Sequence, residues 1–578
     1  MKKTIKKRGQ KLFKKVSKAS LQAGEDSKEH IKENLFQRFS HIANIKLLIL
    51  EWGLLVVALI LLAMTQAFWF GDSYAEDTWT EKGTYTEATI GEVNSMNPLF
   101  ATTNSEKVLS RLMFATIATI DYSGHPRPDL ASTISASEDG KVWKVTLRDN
   151  LKWSDGEPLT KEDLLFTLSI IKSPAVKTSY DANLANVKVT EGENGEIIFT
   201  LPTAYADFIS ALIIPIVPKH ILGDSDPKTM IEHSFSNAPI TSGPFSFNAM
   251  QGNSLTDERT YYLSKNENYF GGRVLLDSFA VRVFSSKEAV INALNNGVVT
   301  ATAELSGADA EAITARQIYL KNSSLNSGAF LFFNTTSERM KDANVRAAIR
   351  QGINMAEIRE NAPEAEAIDY PLLNSQIKLT NYAALPGYDY EAAKAVISGA
   401  IGESPVTLEI ATVNDSFLPK VTEAISEVLK SLGYDTHVSV YEENQEFISN
   451  ILSKRSYDIL VYEVELGADP DPLPYYHSSQ ASNSGLNLSN YRNVLVDDLL
   501  LGGRETLDES LRIKKYERFL EYWVSNVPAI GIYQPNLAYY YNRNVRTFSN
   551  DLRLVTALDR FSDVEDWAVN KTTKNKTP

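Results

Sequence analysis

Hydrophobic and polar positions divide the chain into two regimes. Leu47 to Phe70 reads LLILEWGLLVVALILLAMTQAFWF, 24 residues that are apolar at almost every position. As a helix at about 1.5 Å per residue they would extend about 36 Å, enough for a bilayer core of about 30 Å. Glu51 lies near one end, and Trp52 and Phe68-Trp69-Phe70 mark opposite ends, as interfacial aromatics do. A cleaved signal peptide is the alternative, but its charged and apolar regions would both be unusually long and the bulky Phe-Trp-Phe suits no small-residue cleavage site.

Beyond this run the pattern changes to short alternating or apolar segments separated by helical periods. Tyr85–Ile90, Lys141–Leu147, Glu196–Leu201, Gly328–Asn334, Pro405–Ile410 and His437–Val440 read as strands. Ser105–Ile120, Leu164–Ile171, Asn344–Ile353 and Pro419–Leu432 read as helices, with Thr160 and Asp163 approximating a capping box. Strands alternating with helices over this length predict α/β lobes. Gly71–Gly83 is polar and acidic and reads as a linker, and Lys571–Pro578 as a frayed tail.

Charge adds a direction. Residues 1–45 hold 12 Lys and Arg against 4 Asp and Glu, a surplus of +8, so the remainder carries −22 of the overall −14. Basic residues ahead of an apolar span place the N-terminal segment in the cytoplasm and the body outside, in a single-pass arrangement at the cell membrane. Ile31, Leu35, Phe36, Phe39 and Ile42, with Lys28, Lys32 and Arg38, suggest a basic amphipathic helix on the inner surface or a helical extension of the anchor. Anionic lipid is a better partner for this segment than nucleic acid.

The 578 residues need more than one core. With no cysteine, disulfides, thiolate metal sites and cysteine nucleophiles are excluded, and the seven histidines show no paired metal-ligand spacing. No Ser-His-Asp set, glycine-rich phosphate loop, HExxH or nucleophile elbow is present, so neither enzyme chemistry nor a cofactor is expected.

One stretch invites a chemical reading: LGADPDPLPYY, Leu466 to Tyr476, following the apolar Ile459–Tyr462. Its aspartates, two apart, could be a catalytic pair, a turn, or part of a ligand cleft. Prolines after both favour a rigid turn over catalysis, and Asp471-Pro472 is accounted for that way.

The order of the motifs resembles the large extracytoplasmic solute-binding proteins of peptide and nickel ABC importers, bacterial solute-binding family 5. The resemblance is carried by Asn97-Pro98, Asp121–Ala131, Lys144–Thr160 (KVTLRDNLKWSDGEPLT), Thr241–Phe245, Asn266–Gly272, Phe332–Asn334 with Val345-Arg346, Ala468–Pro472, Asn487, Tyr491 and Val527–Ala529, over about residues 85–555. It implies a bilobal periplasmic-binding-protein-like α/β fold (type II, with an extra subdomain) that hinges shut on a ligand. The expected organisation is a basic cytoplasmic segment 1–46, a transmembrane helix 47–70, a linker 71–84, lobe I from 85–325 and 530–570 with its subdomain at about 116–238, and lobe II from 326–529.

The resemblance further implies a monomeric receptor, without cofactor, that delivers peptides to an ABC permease. A metal chelate, a sugar, haem, or a sensor or scaffold role are the alternatives. Asp469 matches the carboxylate that receives a peptide's α-ammonium, a charge-assisted bond. Glu465, Leu466, Gly467 and Ala468 match a strand that bonds the peptide backbone, and Thr102, Thr103 and Asn104 match the strip facing it. Leu466 stands where the family often has Trp. Arg339, Arg346 and Arg350 are cations of the second lobe with no assigned ligand role.

Overall fold

In the computed structural model of the protein, residues 46–73, 75–79, 82–184, 186–253, 258–402, 406–415, 417–569 and 571–575 are described. The expected cytoplasmic segment and its amphipathic helix lie outside the described residues, apart from Lys46. The chain divides into two compact units, Met1–Thr78 with Thr572–Pro578, and Trp79–Lys571.

The first unit contains one helix, Lys46–Ser73. Its described side chains are those of residues 52–65, and they are exposed, with Leu54, Leu59, Leu62 and Met64 each between 57% and 65% accessible. Among the described residues no helix is long and apolar enough to cross a membrane. Where the sequence suggested a linker, the helix continues to Ser73 and Ala75–Trp79 is a strand. That strand pairs with Lys571–Asn575, so the segment expected to fray gains a backbone partner.

The second unit is built on two large sheets. A seven-stranded sheet runs in the order Ile318–Ser324, Asn536–Asn542, Ala301–Thr302, Thr84–Ile90, Ser278–Phe284, Glu258–Lys265, Phe245–Asn253. A four-stranded antiparallel sheet, Ala131–Ala136, Val142–Leu147, Ile197–Thr200, Lys188–Glu191, shares its hydrophobic core. Together they make the first lobe.

The second lobe is a six-stranded sheet ordered Glu366–Ala367, Ala529–Gln534, Ser327–Phe333, Ile459–Glu465, Thr407–Val413, Asp435–Tyr441, with its own core. Ser327–Phe333 is buried at all seven positions, which is why it reads as an unbroken apolar run instead of alternating. Each fully buried Phe or Leu there stabilises the lobe by about 1.5–3 kcal/mol.

Most strand and helix readings hold to within a residue or two. Leu418–Ser431 links Thr407–Val413 to Asp435–Tyr441 in a parallel pair, and Thr160 caps Lys161–Ile171, its amide donating to Asp163 at 2.9 Å. The helix read over Ser105–Ile120 is a correction: it stops at Met113, and Ala118–Ile120 is a strand. The helical period continues by chance past Phe114, whose extended backbone ends the helix.

The chain passes between the lobes twice, at Leu325–Asn326 and at Pro535. The crossings are tied together: Leu325 N donates to Pro535 O (3.0 Å), and Gln534 Nε2 to Leu325 O (2.7 Å). Two adjacent crossings of the chain between the lobes have the character of a hinge.

Candidate functional site

Strand Ile459–Glu465 lies centrally in the second lobe and leads to the expected site. One edge pairs throughout with Ser327–Phe333. The other pairs its backbone with Thr407–Val413 at Ile459 and Leu460, and Thr412 Oγ1 donates to Val461 O at 2.9 Å. Beyond Leu460 that edge has no further backbone strand partner among the described residues. Glu463 and Glu465 are two apart and project to the same face.

The strand ends at Glu465, so Leu466–Ala468 does not continue it as expected. Gly467 has φ +73°, a left-handed conformation that glycine adopts without a Cβ clash. The carbonyls after the strand are already bonded. Gln376 Nε2 donates to Leu466 O (2.8 Å), Gly467 O (3.0 Å) and Asp469 O (3.1 Å), and Asn326 Nδ2 to Gly467 O (3.0 Å).

Asp469 faces Arg512, on helix Glu509–Asn526, at 2.5 Å, and both side chains are about nine-tenths buried. Burial works against the guanidinium's charge, but the bond to Asp469 and its negative charge outweigh that and hold the Arg512 pKa above its ordinary range. Asp471 pairs with Arg504 at 2.5 Å and accepts from Leu473 N at 3.1 Å, the bond expected of an aspartate turn. The first lobe meets this network. Ala206 N donates to Arg504 O (2.8 Å), Arg504 lies 5.3 Å from the Tyr205 ring centroid, and burial together with the Asp469 charge pushes the Asp207 carboxyl up to about 8.

On the first-lobe side, Thr103 caps helix Asn104–Met113, accepting from Glu106 N at 3.2 Å and donating to Glu92 O at 2.7 Å. Thr102 donates to the Glu106 carboxylate through both its amide (2.7 Å) and its hydroxyl (3.1 Å). Asn104 is exposed and donates to Glu304 Oε1 at 2.5 Å.

Two adjoining cavities separate these surfaces. One, of about 480 Å3, is lined by Asn104, Lys107, Arg111, Tyr180 and Asp559 from the first lobe and Glu465 from the second. The structure thus brings two of the expected residues, Asn104 and Glu465, to one cavity. The other, of about 490 Å3, is lined by Lys287, Glu304, Ser306 and Ala557 from the first lobe and Glu364, Asp415, Phe417, Glu463 and Tyr533 from the second. Ala557 lines both, and the Asn104–Glu304 bond bridges them.

Glu463 was not singled out by the sequence. Burial, with the charges of Asp415, Glu443 and Glu465, pushes its carboxyl up to about 8. Burial likewise pushes Glu304 up to about 7, against Arg560 and the Asn104 bond. The signal available in the sequence was Tyr462-Glu463-Val464-Glu465, acids alternating on a strand that begins apolar. The second-lobe arginines serve the fold: Arg346 is buried and donates to Met340 O (2.7 Å) and Val527 O (2.9 Å), Arg350 donates to Val524 O (2.8 Å), and Arg339 pairs with Asp458 at 3.1 Å. Among the described residues no group of three or more His, Cys, Asp or Glu is arranged to hold a metal ion.

Comparison with known proteins places this geometry. Residues 125–487 match the family model of bacterial extracellular solute-binding proteins, family 5 (middle). The oligopeptide-binding protein AppA of Bacillus subtilis (strain 168) is 23% identical over 470 residues, covering 77% of this chain and 85% of its own. The structure of that protein with a nonapeptide superposes with a TM-score of 0.69 at 21% identity, over 86% of this chain and all of the other. The ABC transporter substrate-binding protein CtaP of Listeria monocytogenes gives 0.73 at 22%, over 85% and 100%. NikZ of Campylobacter jejuni, solved with Ni(L-His), gives 0.69 at 22%, over 84% and 99%. With more than half of its length matched by the family model and the bilobal fold shared, the chain belongs to the family 5 solute-binding proteins of peptide and nickel ABC importers.

Proposed function

We propose that this chain captures peptides in the paired cavities between its lobes and delivers them to an ABC permease, tethered to the membrane by the helix Lys46–Ser73. The observation that carries the reading is the half-open strand Ile459–Glu465, which borders the cavities on an edge that, among the described residues, has no backbone strand partner beyond Leu460 and only the Thr412 hydroxyl at Val461. A peptide laid along that edge would gain main-chain bonds whatever its side chains, with Glu465 and Asn104 flanking it. The cavities, about 480 and 490 Å3, are of the size that ligand clefts have. The peptide-bound AppA relative supports this substrate class.

The tether rests on the sequence and the helix together. The described part of helix Lys46–Ser73 does not by itself meet the length and apolarity of a span, so the tether draws on the 24 apolar residues Leu47–Phe70 in the sequence, about 36 Å as a helix at about 1.5 Å per residue. The helix's apolar side chains at Leu54, Leu59, Leu62 and Met64 stand exposed, and a +8 segment precedes it. Lipid is the cover that this combination suits. Family membership supports delivery to a permease.

Native mass spectrometry of the full chain released from detergent tests the ligand class. A ladder of co-purifying short peptides is the expected result. A single non-peptide mass, such as the metal chelate in NikZ, would replace the substrate and keep the binding fold. An empty protein that also ignores a mixed peptide pool would remove the capture role. Retention of the full chain in the membrane fraction after alkaline carbonate washing is expected for the tether, and release into the wash would refute it.

A further inference from the structure

Glu463, like Glu364 and Glu465, is a cleft carboxylate without a side-chain partner among the described residues, and of the three it is the one whose carboxyl burial and neighbouring acids push up. Asp469 and Asp471 hold arginines, and Glu304 accepts from Asn104. Glu463 lines the 490 Å3 cavity and has neither a hydrogen-bond donor nor an ion-pair partner among the described residues. The lining cation, Lys287, lies 3.3 Å from Asp309 and is partly committed there. The other acids of the cavity, Glu364 and Asp415, add to the negative field.

A carboxyl withdrawn from water and left without a donor is costly when ionised, and an incoming cation relieves that cost. We propose that Glu463 determines specificity in this cleft by receiving the cationic side chain of a Lys- or Arg-containing peptide. The inference rests on the peptide-capture reading and names the peptide class. Glu463 sits next to the open edge of strand Ile459–Glu465, so a peptide bonded along that edge would direct alternate side chains into the acidic cavity.

Burial and the charges of Asp415, Glu443 and Glu465 push Glu463 up to about 8, with the Tyr533 phenol also lining the cavity. A bound ammonium favours the carboxylate, so the cation enters as the proton leaves. Binding of a cationic peptide therefore strengthens as pH rises toward 8 and levels off above it, by up to about tenfold per pH unit below that point.

Calorimetry on the full chain in detergent tests this with tetrapeptides that carry Lys, norleucine or Glu at each position in turn on an alanine background. At one position Lys should bind about ten- to hundredfold more tightly than norleucine, and Glu more weakly than either. The Lys peptide should release more protons than its norleucine counterpart, read from two buffers of different ionisation enthalpy. Glu463→Gln, checked for native melting, should bring Lys to the norleucine affinity and remove the excess proton release, leaving norleucine binding intact.

Peptides that bind with Lys and norleucine equal would overturn this inference and leave the peptide reading standing. A Glu463→Gln protein that keeps the Lys preference, or loses norleucine binding as well, would equally overturn it. Failure of every tetrapeptide to bind natively folded protein would overturn the peptide reading itself. If the variant does not fold, the proton release of the unaltered protein decides: no excess for Lys over norleucine refutes the role.

Discussion

The loop Leu466–Pro472 and the strand just before it carry acids only a few residues apart in very different surroundings. Asp469 and Asp471 are each met by a guanidinium at 2.5 Å. Glu463 lines a cavity of about 490 Å3 and has no donor among the described residues. The loop acids are the conspicuous ones in sequence, framed by prolines, whereas Glu463 is inconspicuous inside a strand. A carboxylate that already has a buried arginine contributes mainly to holding the lobe together, because its charge is satisfied before a ligand arrives. A carboxyl left without a partner beside open space is the one whose protonation state a ligand can change.

The sharpest way to break this contrast is to remove an arginine. Arg512→Ala leaves Asp469 buried without its partner and should cost about 3–5 kcal/mol of unfolding free energy, read as a large drop in denaturation midpoint. The near-isosteric Asp469→Asn keeps the packing and should cost less, about 2 kcal/mol, with the Lys-over-norleucine preference preserved. If Asp469→Asn instead abolished peptide binding at unchanged stability, the loop acid would be the ligand anchor that the family motif implies, and the contrast would fail.

Asp207 tests the same principle where the lobes meet. Its carboxyl is pushed up to about 8 by burial and by Asp469, with Asp471 adding and Arg512 and Ser210 opposing. Since the folded-state value lies above that of the unfolded chain, this group's contribution to stability is complete below about pH 4. It is lost progressively as pH rises to about 8, then levels off. Asp207→Asn should flatten that profile and be more stable than the unaltered protein at pH 8.5, read as a higher denaturation midpoint. A parallel pair of profiles would place the Asp207 carboxyl in water instead.

The lobes were largely legible because buried strands and amphipathic helices declare themselves by period: Ser327–Phe333 and Leu418–Ser431 were evident from apolar spacing alone. The helix end at Met113 was not, since the apolar spacing continues through Phe114 into the following strand. At the site, the motif order singled out two facing strips, of which Asn104 and Glu465 line one cavity in the structure. It could not show that Arg512, 43 residues further on, neutralises Asp469. Nor could it distinguish Glu463 from any other strand glutamate. Both facts depend on which side chains meet in space, and no local period encodes that.

The smallest expected effect concerns the strip facing the strand. Thr102, Thr103 and Asn104 read as one ligand-contacting segment, yet the structure divides their work. Thr103 closes a capping box with Glu106, while Asn104 faces the cavity and touches Glu304. Thr103→Ala should therefore cost about 1 kcal/mol through the lost cap and leave peptide affinity within twofold, since the hydroxyl is spent on Glu92 O and Glu106 N. Asn104→Ala removes no cap and frees Glu304, whose carboxyl the Asn104 bond holds down against burial. Its stability should barely move, and its peptide affinity should change more than that of Thr103→Ala. Calorimetry and thermal melts on the two variants separate a capping residue from a cleft residue one position away. Equal effects on affinity would put both threonines and the asparagine back into a single binding strip.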